Sequence, residues 1–124
     1  MVKSLFAATA LLASISAHAS YVCDAPKDES NPGVKISWND TTLNKIPSKM
    51  TLNLAGRDFD VKASNDPKSW VLQGFWATPK RIWIEMNIPE SDRKIVVKTV
   101  WNGGASEGKI DLFGKQYPIT CTSR

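Results

Sequence analysis

Apolar residues recur at every second position in run after run of this chain. Over residues 81–88, Ile82, Ile84, Met86 and Ile88 alternate with Arg81, Trp83, Glu85 and Asn87, the period of a half-buried strand. Pro89-Glu90-Ser91-Asp92 supplies turn chemistry. Beyond it Ile95, Val97, Thr99 and Trp101 alternate with Lys94, Val96, Lys98 and Val100. The pattern predicts a hairpin with Ile88 opposite Ile95, Met86 opposite Val97 and Ile84 opposite Thr99. That register sets Glu85 against Lys98 on the other face, an opposite-charge pair worth roughly 0.2–1 kcal/mol. A one-residue slip would turn every isoleucine outward.

Strands with the same alternation are expected along the rest of the chain. Residues 21–24 and 34–38 read as two strands around the polar, proline-bearing stretch 24–33. Met50, Leu52 and Leu54 face one way and Phe59, Val61 and Ala63 answer them, with Leu54 opposite Phe59 across residues 55–58. Residues 70–76 are apolar almost throughout, as in a strand buried on both faces. Pairing Trp76 with Arg81 then sets Gly74 opposite Trp83. Residues 102–108, rich in glycine, read as a flexible loop. A last hairpin pairs Ile110 with Ile119 and Leu112 with Tyr117 about Gly114-Lys115, Gly in first position suiting a type II′ turn. No stretch beyond residue 19 has helical periodicity. Seven or eight strands joined mainly by hairpins predict an all-β meander that closes as a small barrel, with a β-sandwich as the alternative.

The two ends alter the picture. Lys3, the apolar run 5–15 and Ala17-His18-Ala19 have the layout of a cleavable secretory signal over residues 1–19. The run is too short to span a membrane. The mature chain is then 20–124, one domain, periplasmic or secreted. Losing Lys3 takes the formal net charge from +4 to +3, with no basic block of the kind that marks a nucleic-acid partner. Cys23 and Cys121 are the only cysteines and stand near the two mature ends. In an exported protein such a pair is expected as a disulfide tying first strand to last.

The only histidine, His18, leaves with the signal, which removes Ser-His-Asp and Cys-His catalysis and a His/Cys metal site. No phosphate loop or calcium loop is present, so no cofactor or metal is expected. Glu85 and Asp111 could be nominated as paired carboxylates, but they read as charge on strand faces, and the chain as not an enzyme. Aromatics are the positive signal. Trp38 and Trp101 share faces with Ile and Val and read as core. Trp83 shares its face with Arg81, Glu85 and Asn87, next to Trp76. A Trp76-Trp83-Arg81 cluster, with the Gly103-Gly104 loop able to close over it, is the expected binding surface for a protein or glycan partner. The competing reading covers both sheet faces and makes Trp83 a second small core. Exposure of Trp83 separates the two.

Tyr21-Val22-Cys23 at the mature start, Cys121 near the end, and Ala63-Ser64 ahead of Phe75-Trp76 resemble the periplasmic inhibitors of c-type lysozyme. Those are small exported β-barrels with a terminal disulfide and a Ser-Ala-Ser-Gly loop followed by a Phe-Trp strand. The resemblance implies that Ala63 and Ser64 begin a loop that enters the lysozyme cleft. Asn65-Asp66 stands where that loop has its glycine, and no Arg-Tyr follows it. Two function classes result: a non-catalytic binding or inhibitory module, and a structural envelope-associated domain whose aromatics are all core.

Overall fold

The computed structural model describes residues 20–39, 47, 49–78 and 80–123; the expected signal segment lies outside them. The alternating runs become nine strands: β1 (Ser20–Ala25), β2 (Val34–Asn39), β3 (Met50–Leu54), β4 (Arg57–Lys62), β5 (Trp70–Ala77), β6 (Arg81–Asn87), β7 (Lys94–Asn102), β8 (Ala105–Leu112) and β9 (Lys115–Ser123). They form one closed barrel in sequence order, with one or two strands more than the pattern predicts. A ring of nine strands cannot be antiparallel at every joint, because direction would have to reverse an odd number of times. The parallel joint lies between β4 and β5, where only Val61 opposite Trp70 and Lys62 opposite Val71 pair. Since β5 starts beside the end of β4, the connection 63–69 need not travel the length of a strand. The meander is therefore broken once, and β1 can meet β9 antiparallel.

Inward positions make the core. Ile36, Leu52, Ile84, Met86, Ile95 and Val97 have no exposed surface, and each sits on the face that its period-2 pattern assigns to the interior. Tyr21 stacks on Trp38 at 5.2 Å and Phe75 meets the same indole edge-on at 5.4 Å. Thr99 and Ser106, both buried, hydrogen-bond each other, so these two interior hydroxyls are mutually satisfied. At one end the 26–33 connection folds over the barrel. The Tyr117 hydroxyl donates to the Ser30 carbonyl at 2.9 Å, and the Asn31 and Ser30 amides donate to the Asp28 carboxylate. Those two amide hydrogen bonds, Asn31's first, hold the Asp28 carboxyl below its usual range.

The predicted hairpins have the right faces and the wrong register, except that Ala63, expected inward, is exposed beyond the end of β4. Leu52, not Leu54, lies opposite Phe59, and Met50 opposite Val61. Ile84 lies opposite Val97 and Met86 opposite Ile95. Ile110 lies opposite Tyr117, and Cys121 opposite Ser106. The shift is two residues each time, which preserves inside and outside. Tight turns cause the first and last of these shifts. Ala55 and Gly56, at φ 54° and 87°, and Phe113 and Gly114, at 55° and 87°, have the positive φ at both central positions of a type I′ turn. The flanking residues Arg57, Asp58 and Lys115 are thereby taken into strands. Residues 102–108 are also no loop: Gly103 and Gly104 form a two-residue turn between the paired Asn102 and Ala105.

Glu85 is opposite Val96, and its ion pair is diagonal, to Lys94 at 3.1 Å. The predicted Glu85–Lys98 pair does not form. Because both partners keep solvent contact, Glu85→Ala is expected to cost no more than about 1 kcal/mol in urea unfolding. A double-mutant cycle should find coupling between Glu85 and Lys94 and none between Glu85 and Lys98. Coupling to Lys98 instead would restore the sequence-predicted register.

Candidate functional site

The two-residue shift rearranges the outer wall. On β5 the ladder slips between Leu72 and Gly74, a bulge that leaves Gln73 exposed. Past it Gly74 is opposite Glu85, Trp76 is opposite Trp83 and Ala77 opposite Ile82. Residues 70–76 are consequently buried on both faces only in the first half: Val71 is buried, whereas Gln73 and Trp76 are exposed. The β5–β6 turn is held by Thr78, whose amide donates to the Arg81 carbonyl at 2.8 Å and whose hydroxyl accepts from the Arg81 and Lys80 amides.

Reading across the barrel exterior from β5 to β9, one row runs Trp76, Trp83, Lys98, Lys109, Pro118. The row nearer the 103–104 turn runs Arg81, Val100, Glu107, Thr120. Between them lies a groove of about 580 Å³ whose wall is mostly apolar, lined by Trp76, Trp83, Val100, Arg81, Lys98 and Lys109 among others. A smaller notch of about 180 Å³ continues past Lys98 and Lys109 to Asp111 and Gln116.

Trp76 is 49% exposed and Val100 58%. Their exposure on one wall marks an apolar patch that water covers at a cost in free energy. Trp83 is half-buried. Its indole N–H is shut off from solvent and has no acceptor among the described residues. What it shows to the groove is therefore carbon. Although Trp76 and Trp83 face each other across the ladder, their rings make no stacking contact; the ring pairs among the described residues lie elsewhere. Their aromatic faces stay unpaired beside the groove.

Charge follows from the same geometry. With Glu85 turned to Lys94, Lys98 stands opposite Lys109, and like charges in directly opposed positions destabilise a sheet. Among the described residues the ion pairs are Lys94–Glu85 and Lys49–Asp60. Arg81, Lys98, Lys109 and Glu107 thus line the groove without ionic partners. Asp111 accepts from the Gly114 amide at 3.2 Å and serves the turn.

Of the residues singled out in the sequence, Trp76, Trp83 and Arg81 come together on this wall. Gly103 and Gly104 do not line it; they form the tight turn between the paired Asn102 and Ala105. Gly74 lies diagonal to Trp83, not opposite it. Lys98, Val100, Glu107 and Lys109 were missed. Parity alone assigns Lys98 and Val100 to the face of Trp83, but the predicted register gives Lys98 to Glu85, and the composition of 102–108 predicts a loop. Ala63 and Ser64 open the 63–69 connection; the Ser64 hydroxyl accepts from the Asp66 amide at 3.0 Å.

Fold and site together define a closed, disulfide-linked β-barrel with an external aromatic and cationic groove. Comparison with protein-family models, with curated proteins and with solved structures finds no match for the chain. No helix among the described residues is long and apolar enough to cross a membrane, and no cluster of His, Cys, Asp and Glu among them is placed to hold a metal.

Proposed function

We propose that this is an exported, non-catalytic binding protein that engages its ligand on the outer wall of the barrel, through Trp76, Trp83 and Arg81. One observation carries the reading. Two tryptophans meet across a ladder on the solvent side, unstacked, over a groove of the size that small ligands and short chain segments occupy. A sheet that needed those indoles only for packing would turn them inward, as it does Trp38. Export to the periplasm or cell exterior is supported by the leader pattern of residues 1–19 and by the Cys23–Cys121 bond, which persists in an oxidising compartment.

Trp76→Ala is the cleanest test because half the side chain is already in water. The variant should stay folded, since the truncation removes only the buried half of the indole, roughly 2–3 kcal/mol of packing. Retention of ligand from a whole-envelope extract by the immobilised mature chain should weaken by about 2 kcal/mol or more, as for an interface anchor. Retention equal to wild type would leave the alternative, a structural envelope domain. Lysozyme inhibition through the exposed 63–69 connection is the other alternative, drawn from the family resemblance. It would show as inhibition of c-type lysozyme abolished by changes at Ala63 or Ser64 and indifferent to Trp76.

A further inference from the structure

The groove's charges do not match its need for stability, and that mismatch names a ligand class. Lys98 and Lys109 oppose each other across β7 and β8, with no ion-pair partner among the described residues. Glu107 and Asp111 stand two residues either side of Lys109 on the same face of β8, yet neither forms an ion pair with either lysine, whereas Glu85 does with Lys94. An anion seated between the two would remove their repulsion and gain two charge-assisted contacts. Next to them in the same row is Trp83, showing carbon to the groove, and then Trp76 with its ring faces unpaired. Flat apolar faces beside a paired cationic site complement a ring that is apolar on its faces and carries a negative group at its edge.

Resting on the reading of this groove as a binding site, we propose that its ligand is an acidic polysaccharide, a chain of pyranose rings bearing carboxylates. The rings lie along Trp76 and Trp83, and a carboxylate sits between Lys98 and Lys109. Shape favours a linear polymer, because the groove runs on past the lysines into the notch lined by Asp111 and Gln116; Asp111, like Glu107, repels a carboxylate there and confines the bound one to the lysine pair. An acidic protein fits less well. A stable protein interface covers about 800 Å² per partner around an apolar centre, and the exposed large apolar residues of this wall are only Trp76 and Val100. Glu107 has a definite place in the scheme. It is opposite Val100 and two residues from Lys109 on the same face, so it repels a carboxylate seated at the lysines. Its removal should tighten binding, which no merely structural role predicts.

The experiment titrates the mature chain with an oligogalacturonate, with the methyl-esterified oligogalacturonate, which keeps the rings and loses the charge, and with a polyglutamate peptide, which keeps the charge and loses the rings. Intrinsic tryptophan fluorescence reports occupancy, and calorimetry gives Kd. The oligogalacturonate is expected to bind, more weakly as salt rises. Lys98→Ala and Lys109→Ala should each lose about tenfold in affinity with thermal midpoints no lower than wild type, since each relieves a repulsion. Glu107→Gln should gain affinity, and the ester should bind less tightly than the acid. Equal binding of acid and ester, indifferent to the lysines, would overturn the anionic assignment and leave the groove a binding site. Polyglutamate binding as tightly as the uronate would make the occupant an acidic peptide and overturn the carbohydrate assignment. Binding of none of the three would overturn the proposal outright, while the Trp76→Ala capture experiment judges the groove itself.

Discussion

Gly108→Ala is expected to be the most damaging single-methyl addition in the barrel. A Cβ at this position would stand 1.9 Å from the Lys98 carbonyl oxygen and 2.7 Å from the Thr99 Cα. Both are backbone atoms of the adjacent strand, so no rotamer change can make room. Either β7 and β8 part locally, losing ladder hydrogen bonds beside the Ser106–Thr99 pair, or the barrel wall moves. Overpacking usually costs about 1–3 kcal/mol where side chains can yield. With backbone on both sides, the cost should reach or exceed the upper end of that range. Gly74→Ala is the control: its Cβ would meet only the Glu85 Cβ, at 3.7 Å, an ordinary contact, and its stability should stay within about 1 kcal/mol of wild type. Urea unfolding of both variants decides the matter. Equal stabilities would mean that β7 and β8 do not approach as described. The expected loss also reaches the proposed binding wall, because Lys98 and Lys109 flank this close approach.

Gly108 also shows where reading from sequence stopped. A glycine can mark mobility, a positive φ or a close approach, and Asn102-Gly103-Gly104-Ala105-Ser106-Glu107-Gly108 offers composition fit for any of them. Two of these answers apply within those seven residues. Gly103 takes φ 71° in a turn, Gly104 completes that turn, and Gly108 lets two backbones approach. Only cross-strand neighbours distinguish these uses, and neighbours are not local information. The inward faces, by contrast, were legible, because burial imposes period 2 on every strand whatever its partner. Register was not legible. Type I′ turns usually announce themselves as Asn-Gly or Asp-Gly, whereas here Ala55-Gly56 and Phe113-Gly114 do the same work with a non-glycine residue at positive φ. A left-handed conformation at such residues carries a penalty of roughly 1–2 kcal/mol, which the closed ladders on either side must offset. The consequence ran directly into the site. Parity placed Trp76, Trp83 and Arg81 outward correctly, but the register decided that Lys98 faces Lys109 and Trp83, not Glu85.

Removing the Cys23–Cys121 disulfide should lower stability by about 2–5 kcal/mol, and the loss should concentrate at the joint that closes the ring. The two cysteines are directly opposed on β1 and β9, both without exposed surface, and 98 residues apart in sequence. Nearly all of the described chain is therefore one covalent loop, the case in which a cross-link restricts the unfolded ensemble most. The β1–β9 ladder is short, running only from Tyr21 opposite Ser123 to Asp24 opposite Thr120. It joins strands that lie at the two ends of the described chain, so no connecting turn holds them together. The paired Cys23→Ala/Cys121→Ala variant should keep the barrel's circular dichroism while its urea midpoint falls. Hydrogen exchange should accelerate first at the amides of β1 and β9, before those of β6 and β7, whose ladder is closed by a local connection. A single Cys23→Ser change should cost more than the double alanine, since it strands a buried hydroxyl and a free thiol in an apolar interior. Thiol titration of the unfolded, unreduced protein should find no reactive sulfur. Two reactive thiols there, or a double-alanine variant as stable as wild type, would show that the ladder alone closes the barrel.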